Sequence, residues 1–198
     1  MIDFWNERYS ADEFAYGTLP NEFLKEQLFK LNAGNILFPA EGEGRNAVYA
    51  AKQGFTVSAF DMSTAGKSKA EKLAASQNVE IDYQIARLQD FDFGIERFDI
   101  ISFVYVHMGP DIRTLVHQKA LNGLKKGGRI ILEAFSKNQL GKDSGGPKNI
   151  DWLFSKEILK DDFEGLELEI LEETQTQLKE GPFHSGLADV VRLVGIKK

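Results

Sequence analysis

The most constraining feature of this sequence is that strand-like and helix-like stretches alternate from about residue 35 onward, and then cease to. NILFPA (35–40), FTVSAFD (55–61), IDYQIA (81–86), FDIISFVYVHM (98–108) and RIILEAFS (129–136) read as strands. Between them AVYAAKQG (47–54), SKAEKLAASQ (68–77) and DIRTLVHQKALNGLKKGG (111–128) read as helices. The last of these carries Ile112, Leu115, Val116, Leu121 and Leu124 near one stripe and is expected to stop at Gly127-Gly128. The fourth strand is apolar on both faces, which suits the middle of a parallel sheet. LELEILEETQTQL (166–178) and LADVVRLVGI (187–196) then break the rhythm, because the KEGPFHSG between them is too short for a parallel crossover and predicts an antiparallel hairpin. The expected fold class is α/β, a doubly wound and mostly parallel sheet of seven strands with an antiparallel C-terminal strand.

A chain of 198 residues with 42% apolar content is long enough for one domain with a substantial core. One domain over residues 1–198 is expected, with 1–34 as an N-terminal cap packed on it. Within the cap, NEFLKEQLFKL (21–31) places Phe23, Leu24, Leu28 and Leu31 on one side of a helix. The net charge of −6 argues against nucleic-acid or anionic-membrane partners, which need a basic face. The absence of cysteine removes disulfides, thiolate metal sites and cysteine nucleophiles together. MIDFWNERYS lacks the apolar stretch of a signal peptide, and a cytoplasmic protein without a metal centre is expected.

In an open parallel sheet, ligands bind beyond the carboxyl ends of the strands. The turn after the first strand, Gly42-x-Gly44-x-x-Ala47, satisfies the Rossmann-like dinucleotide fingerprint, and Asp61 ends the next strand at the expected distance. Glu41 and Glu43 oppose that use, since each carboxylate would repel a phosphate by about 1 kcal/mol or more at contact range. The same carboxylates favour a ligand carrying an ammonium or sulfonium group. S-adenosylmethionine has both, has a ribose for a strand-end aspartate, and has no phosphate.

These residues resemble the class I S-adenosylmethionine-dependent methyltransferases, in particular the small bacterial subgroup similar to tellurite-resistance and thiopurine methyltransferases. ILFPAEGEGRN is similar to the family's glycine motif, Asp61 to its ribose-binding acid and ARLQDFDF to its adenine loop. FDIISFVYVHM and LKKGGRIILEAF resemble its fourth and fifth strand motifs, and the terminal hairpin its reversed last strand. The resemblance implies S-adenosyl-L-methionine as cofactor and S-adenosyl-L-homocysteine as product. It implies cofactor contacts from Glu41, Gly42, Glu43, Gly44, Arg45, Asn46, Asp61, Leu88, Gln89, Asp90 and Tyr105, and a small-molecule methyl acceptor such as a thiol, a metalloid oxyanion or a heterocycle. The chain departs from the family at Phe38, where an acid usually ends strand one, at Ala40 in place of the first motif glycine, and at Arg87 where an acid usually opens the adenine loop. Glu41 is the residue expected to replace the strand-one acid at the methionine amino group.

Two histidines fall on the same edge: His107 after strand four and His184 in the last loop. Either suits deprotonation of a nucleophile, given an ordinary imidazole pKa near 6.5. His117 reads as a surface or packing residue. The polar, glycine-rich loop 136–152 has the length of a lid, with Gly145-Gly146-Pro147 as its hinge. Trp5, Arg8, Tyr9 and Tyr16 of the cap either cover the cofactor or anchor the arm. Direct in-line methyl transfer is the expected activity, with two alternatives. One is a non-catalytic cofactor-binding protein. The other is an NAD-dependent oxidoreductase, which none of the five tyrosines supports, because none has lysine four residues on.

Overall fold

The computed structural model describes residues 2–198. Its strands are β1 (Asn35–Pro39), β2 (Thr56–Asp61), β3 (Asp82–Ile85), β4 (Phe98–Val104), β5 (Leu124–Phe135), β6 (Leu166–Lys179) and β7 (Ser185–Lys197). They form one sheet in the order β3-β2-β1-β4-β5-β7-β6. Strands β1 to β5 pair in parallel, and β7 runs antiparallel to both β5 and β6. The mostly parallel seven-stranded Rossmann-like sheet is therefore present, closed by the hairpin that the eight-residue connection demanded.

Strand periodicity of two sends alternate side chains to opposite faces, and the core divides accordingly. Leu37, Ile101, Phe103, Ile130 and Leu132 point to one face, where helices α5 (Pro110–Gly123) and α6 (Lys156–Asp162) bury Val116, Ala120, Leu159 and Phe163. Ile36, Phe38, Ile100 and Ile131 point to the other. There α2 (Glu22–Leu28), α3 (Arg45–Lys52) and α4 (Thr64–Ser76) bury Phe23, Leu24, Leu28, Ala47, Ala50 and Ala70. Phe38 is thus a core residue, and the departure at that position is explained by its burial. Between β3 and β4 no helix forms; Phe91 stacks on Phe60 at 3.9 Å and Phe93 meets both edge-on, filling that face from a loop.

The sequence reading needs correction in three places. Helix α5 ends at Gly123 rather than at Gly127-Gly128, because Leu124 already pairs with Phe98 and LKKGG belongs to β5. Its buried stripe is Val116, His117, Ala120 and Gly123, leaving Leu115 exposed. The N-terminal cap, read as helical only over 21–31, also carries helix α1 (Ile2–Arg8), which lies against α4.

Candidate cofactor and acceptor site

The carboxyl edge of the sheet carries two backbone outliers. Ala40, just after β1, and Tyr105, just after β4, have φ of 49° and 54°, values costly for residues with a side chain. They flank the crevice where the strand order reverses. Tyr105 is held there by its N–H donating to the Glu133 carbonyl at 2.8 Å and its hydroxyl donating to Glu133 Oε1 at 2.8 Å.

The glycine turn is tight for identifiable reasons. A side chain at Gly44 would begin 2.6 Å from Ala70 Cβ, and one at Gly42 would begin 2.6 Å from the Tyr9 hydroxyl. Tyr83 donates its hydroxyl to the Gly42 carbonyl at 2.6 Å. Glu41 Oε1 accepts from the backbone N–H groups of Asn46 and Ala47, both at 2.8 Å. Those N–H groups open α3 and are the donors that would seat a pyrophosphate in a dinucleotide fold. The chain's own carboxylate already occupies them. Burial raises the Glu41 carboxyl to about 7, against the downward pull of the Ala47 N–H bond and of Arg45.

Asp61, 6% exposed, accepts from Gly42 N–H at 3.1 Å and from Ser63 N–H at 2.8 Å. Burial raises its pKa, and the N–H bonds from Ser63 and Gly42 oppose the rise. It therefore braces the glycine turn while keeping further lone pairs that could accept from a ligand hydroxyl. The loop expected to hold the adenine turns at Arg87, whose carbonyl accepts from the N–H groups of Asp90 and Phe91. Leu88 is buried in the core, Asp90 is exposed, and the Gln89 carbonyl is taken by Lys119.

Three residues expected beside the cofactor make contacts within the chain. Glu43 turns away, accepting from Ala15 N–H at 2.8 Å and pairing with Lys69 at 2.6 Å. Arg45 donates to the Leu19 carbonyl at 3.3 Å and pairs with Glu180 at 2.9 Å. Asn46 accepts from Asn21 N–H at 2.9 Å. All three fasten the N-terminal arm, or the last hairpin, to the start of α3. Tyr9 lies over the turn itself, stacked under Trp5 at 5.5 Å, so the arm reaches the cofactor edge.

The two histidines differ sharply. His107 donates through Nδ1 to the Trp152 carbonyl at 2.7 Å and accepts through Nε2 from Phe135 N–H at 3.2 Å. Both ring nitrogens are spent on the chain, and burial lowers the pKa to about 4, so the base anticipated at His107 has no free lone pair to act with. His184 faces Glu180 Oε2 through Nδ1 at 3.2 Å, while Nε2 has no partner among the described residues. It is 7% exposed, packed against Tyr16 at 4.4 Å, Tyr105 at 4.7 Å and Phe135 at 5.1 Å. Burial lowers the His184 pKa, and Glu180 opposes the drop. Glu180 works against its own desolvation: bonds from His184 and the Arg45 charge bring it to about 2. His117 is a packing residue, tied to Asp162 at 2.9 Å between the rings of Phe103 and Phe163.

The loop after β5 docks on the same cluster. A side chain at Gly145 would begin 2.8 Å from His184 Cδ2, and Ser144 donates to the Leu187 carbonyl at 2.9 Å. Leu153 and Phe154 anchor its far end in the core. Glu180 and the buried Glu133 were missed in the sequence. Glu180 lies four residues before His184, a spacing without meaning until the hairpin is known. Glu133 sits inside an apolar strand and accepts from Asn21 at 2.6 Å and Arg192 at 2.6 Å.

Residues 36–128 match a family model described as a methyltransferase domain. No curated protein matches the chain. Among solved structures, TehB from Haemophilus influenzae is similar over all of this chain and 67% of its own, at 15% identity and a TM-score of 0.75. An S-adenosylmethionine-dependent methyltransferase from Methanosarcina mazei covers 87% of this chain and 96% of its own, at 14% identity and a TM-score of 0.71. Geranyl diphosphate methyltransferase in complex with GPP and sinefungin covers all of this chain and 98% of its own, at 14% identity and a TM-score of 0.68. The glycine turn, the strand-end aspartate and a phosphate seat already filled by Glu41 fit the cofactor to which the domain match points, S-adenosylmethionine. Residues 36–128 are thus similar to a methyltransferase domain, and the fold of the chain is that of S-adenosylmethionine-dependent methyltransferases.

Proposed function

We propose that this protein transfers a methyl group directly to a heteroatom of a small-molecule acceptor bound beside His184. S-adenosylmethionine, when bound, supplies an electrophilic methyl on its sulfonium. The chain's own contribution is to hold, orient, exclude water and accept a proton. Asp61 and the backbone of the Leu88–Gln89–Asp90 turn would hold the nucleoside. Glu41 Oε2, with Gly42 and Gly44 keeping the turn thin, would face the ammonium group.

The observation carrying this reading is the state of His184. Glu180 fixes Nδ1 as the protonated nitrogen, leaving the Nε2 lone pair without a partner among the described residues at the edge occupied by Tyr105. An imidazole oriented by a carboxylate in this way is suited to take a proton from a thiol, hydroxyl or ring nitrogen. His107 serves instead as a tie between β4, β5 and the loop that docks on the site. The filled phosphate seat at α3 argues against a nicotinamide dinucleotide.

The test is His184→Gln, which keeps the polarity and approximate volume. The S-adenosylhomocysteine dissociation constant is expected to stay within threefold of wild type while methyl transfer falls about a hundredfold. An unchanged transfer rate would remove His184 from the chemistry.

A further inference from the structure

Of the seven arginines of this acidic chain, the exposed Arg87 and Arg97 have no acid partner among the described residues, while most of the others do: Arg45 has Glu180, Arg113 has Asp162, Arg129 has Glu169 and Arg192 has Glu133. Arg8 does not. Its guanidinium lies 3.8 Å over the Phe183 ring and 5.0 Å from that of Phe4, and Nη1 donates to the Tyr16 hydroxyl at 3.2 Å. Among the described residues it has no carboxylate partner. The remaining donors of the planar fork have no protein partner among the described residues, and such forks match carboxylates and similar oxyanions.

The position of Arg8 gives this meaning. The next residue, Tyr9, covers the glycine turn at Gly42, and Tyr16 packs on His184. Arg8 therefore stands where the cofactor end of the crevice meets the acceptor end. The acids of the neighbourhood are committed elsewhere: Glu180 to Arg45, Glu43 to Lys69, and Asp61 to two backbone N–H groups. Stacking on Phe183 holds the guanidinium plane without neutralising it.

We propose that Arg8, held by Phe183 and Tyr16, is the receptor for a carboxylate-like oxyanion at this junction. The inference rests on the proposed reading of the site. Two sources share the chemistry: the amino-acid carboxylate of the cofactor, and an acidic group on the methyl acceptor. Either makes Arg8 a binding and specificity residue contributed by the N-terminal arm, which thereby closes on an occupied site.

The experiment is titration calorimetry on the full chain with wild type, Arg8→Gln and Arg8→Lys. The probes are S-adenosylhomocysteine and 5′-methylthioadenosine, which lacks the amino-acid portion. Mercaptoacetate and 2-mercaptoethanol are then titrated into the S-adenosylhomocysteine-loaded protein. If the cofactor supplies the anion, Arg8→Gln weakens S-adenosylhomocysteine about tenfold or more, leaves 5′-methylthioadenosine unchanged, and Arg8→Lys recovers part of the loss. If the acceptor supplies it, both nucleosides bind as in wild type, and the preference for mercaptoacetate over its neutral analogue disappears in Arg8→Gln. Equal weakening of both nucleosides assigns Arg8 to arm packing and overturns the proposal, as does an Arg8→Gln variant identical to wild type with every probe. A wild type that binds neither nucleoside overturns the site reading itself, a result separable from any contrast between variants.

Discussion

At the scale of single residues, the glutamates of the glycine turn divide the work. Glu41 fills the α3 anion seat and Glu43 fastens the arm through Lys69. With its folded pKa raised to about 7 against an unfolded value of 4.5, Glu41 favours the folded state fully below pH 4.5, and that contribution is lost as pH rises through 7. The ligand-free wild type is therefore expected to lose stability relative to Glu41→Gln between pH 5 and 8, checked by urea denaturation at each pH; parallel curves would refute it. Affinity for S-adenosylhomocysteine should rise over the same window in wild type and stay flat in Glu41→Gln, because only ionised Glu41 attracts an ammonium group. On the proposed reading, Glu180 is a positioning residue acting through His184. Glu180→Gln should cut turnover roughly tenfold or more and move the acidic limb of the pH–rate profile to lower pH, because the imidazole loses the carboxylate that supports its protonated form. Lower stability with an unmoved limb would mean that Glu180 only packs.

At the scale of elements, the close approach of α3 to α4 depends on Gly44. It caps α3 at a φ of 86°, and a side chain there would meet Ala70 Cβ at 2.6 Å and its Cα at 2.9 Å. Gly44→Ala combines left-handed strain with a backbone clash and is expected to cost about 2 kcal/mol or more, with cofactor affinity falling as the turn moves. Denaturation within about 0.5 kcal/mol of wild type would contradict the contact. Elements with a clear apolar period were legible in the sequence: all seven strands, the α2 stripe of Phe23, Leu24 and Leu28, and the helices after β1 and β2. The end of α5 was not, because Leu124 can continue a helical stripe or begin a strand, and only its pairing with Phe98 decides. The short helix α6 has too few turns for its period to stand out, although Ser155 caps it.

At the scale of the whole molecule, the site is assembled from both ends of the chain. Asn21 of the arm, Glu133 of β5, Arg192 of β7 and Tyr105 after β4 share one buried carboxylate, while Arg45 and His184 share another on Glu180. Sequence shows which residues reach the carboxyl edge, because topology alone puts them there: Glu41, Asp61, Tyr105, His107 and His184 were all legible as edge residues. It does not show how each is spent, since hydrogen-bond partners 28 to 159 positions apart, such as Ala15 with Glu43 and Asn21 with Glu180, leave no local pattern. That is why Glu43, Arg45 and Asn46 read as ligand contacts, while the ties they make to the arm and the last hairpin were not legible. The central claim is that the filled α3 seat and the strand-end aspartate select a phosphate-free sulfonium nucleoside. The most direct measurement is calorimetric titration of the purified protein with S-adenosylmethionine, S-adenosylhomocysteine and NAD in parallel. Micromolar binding of the first two and none of NAD is the predicted result; binding of NAD, with neither adenosyl compound bound, would contradict it.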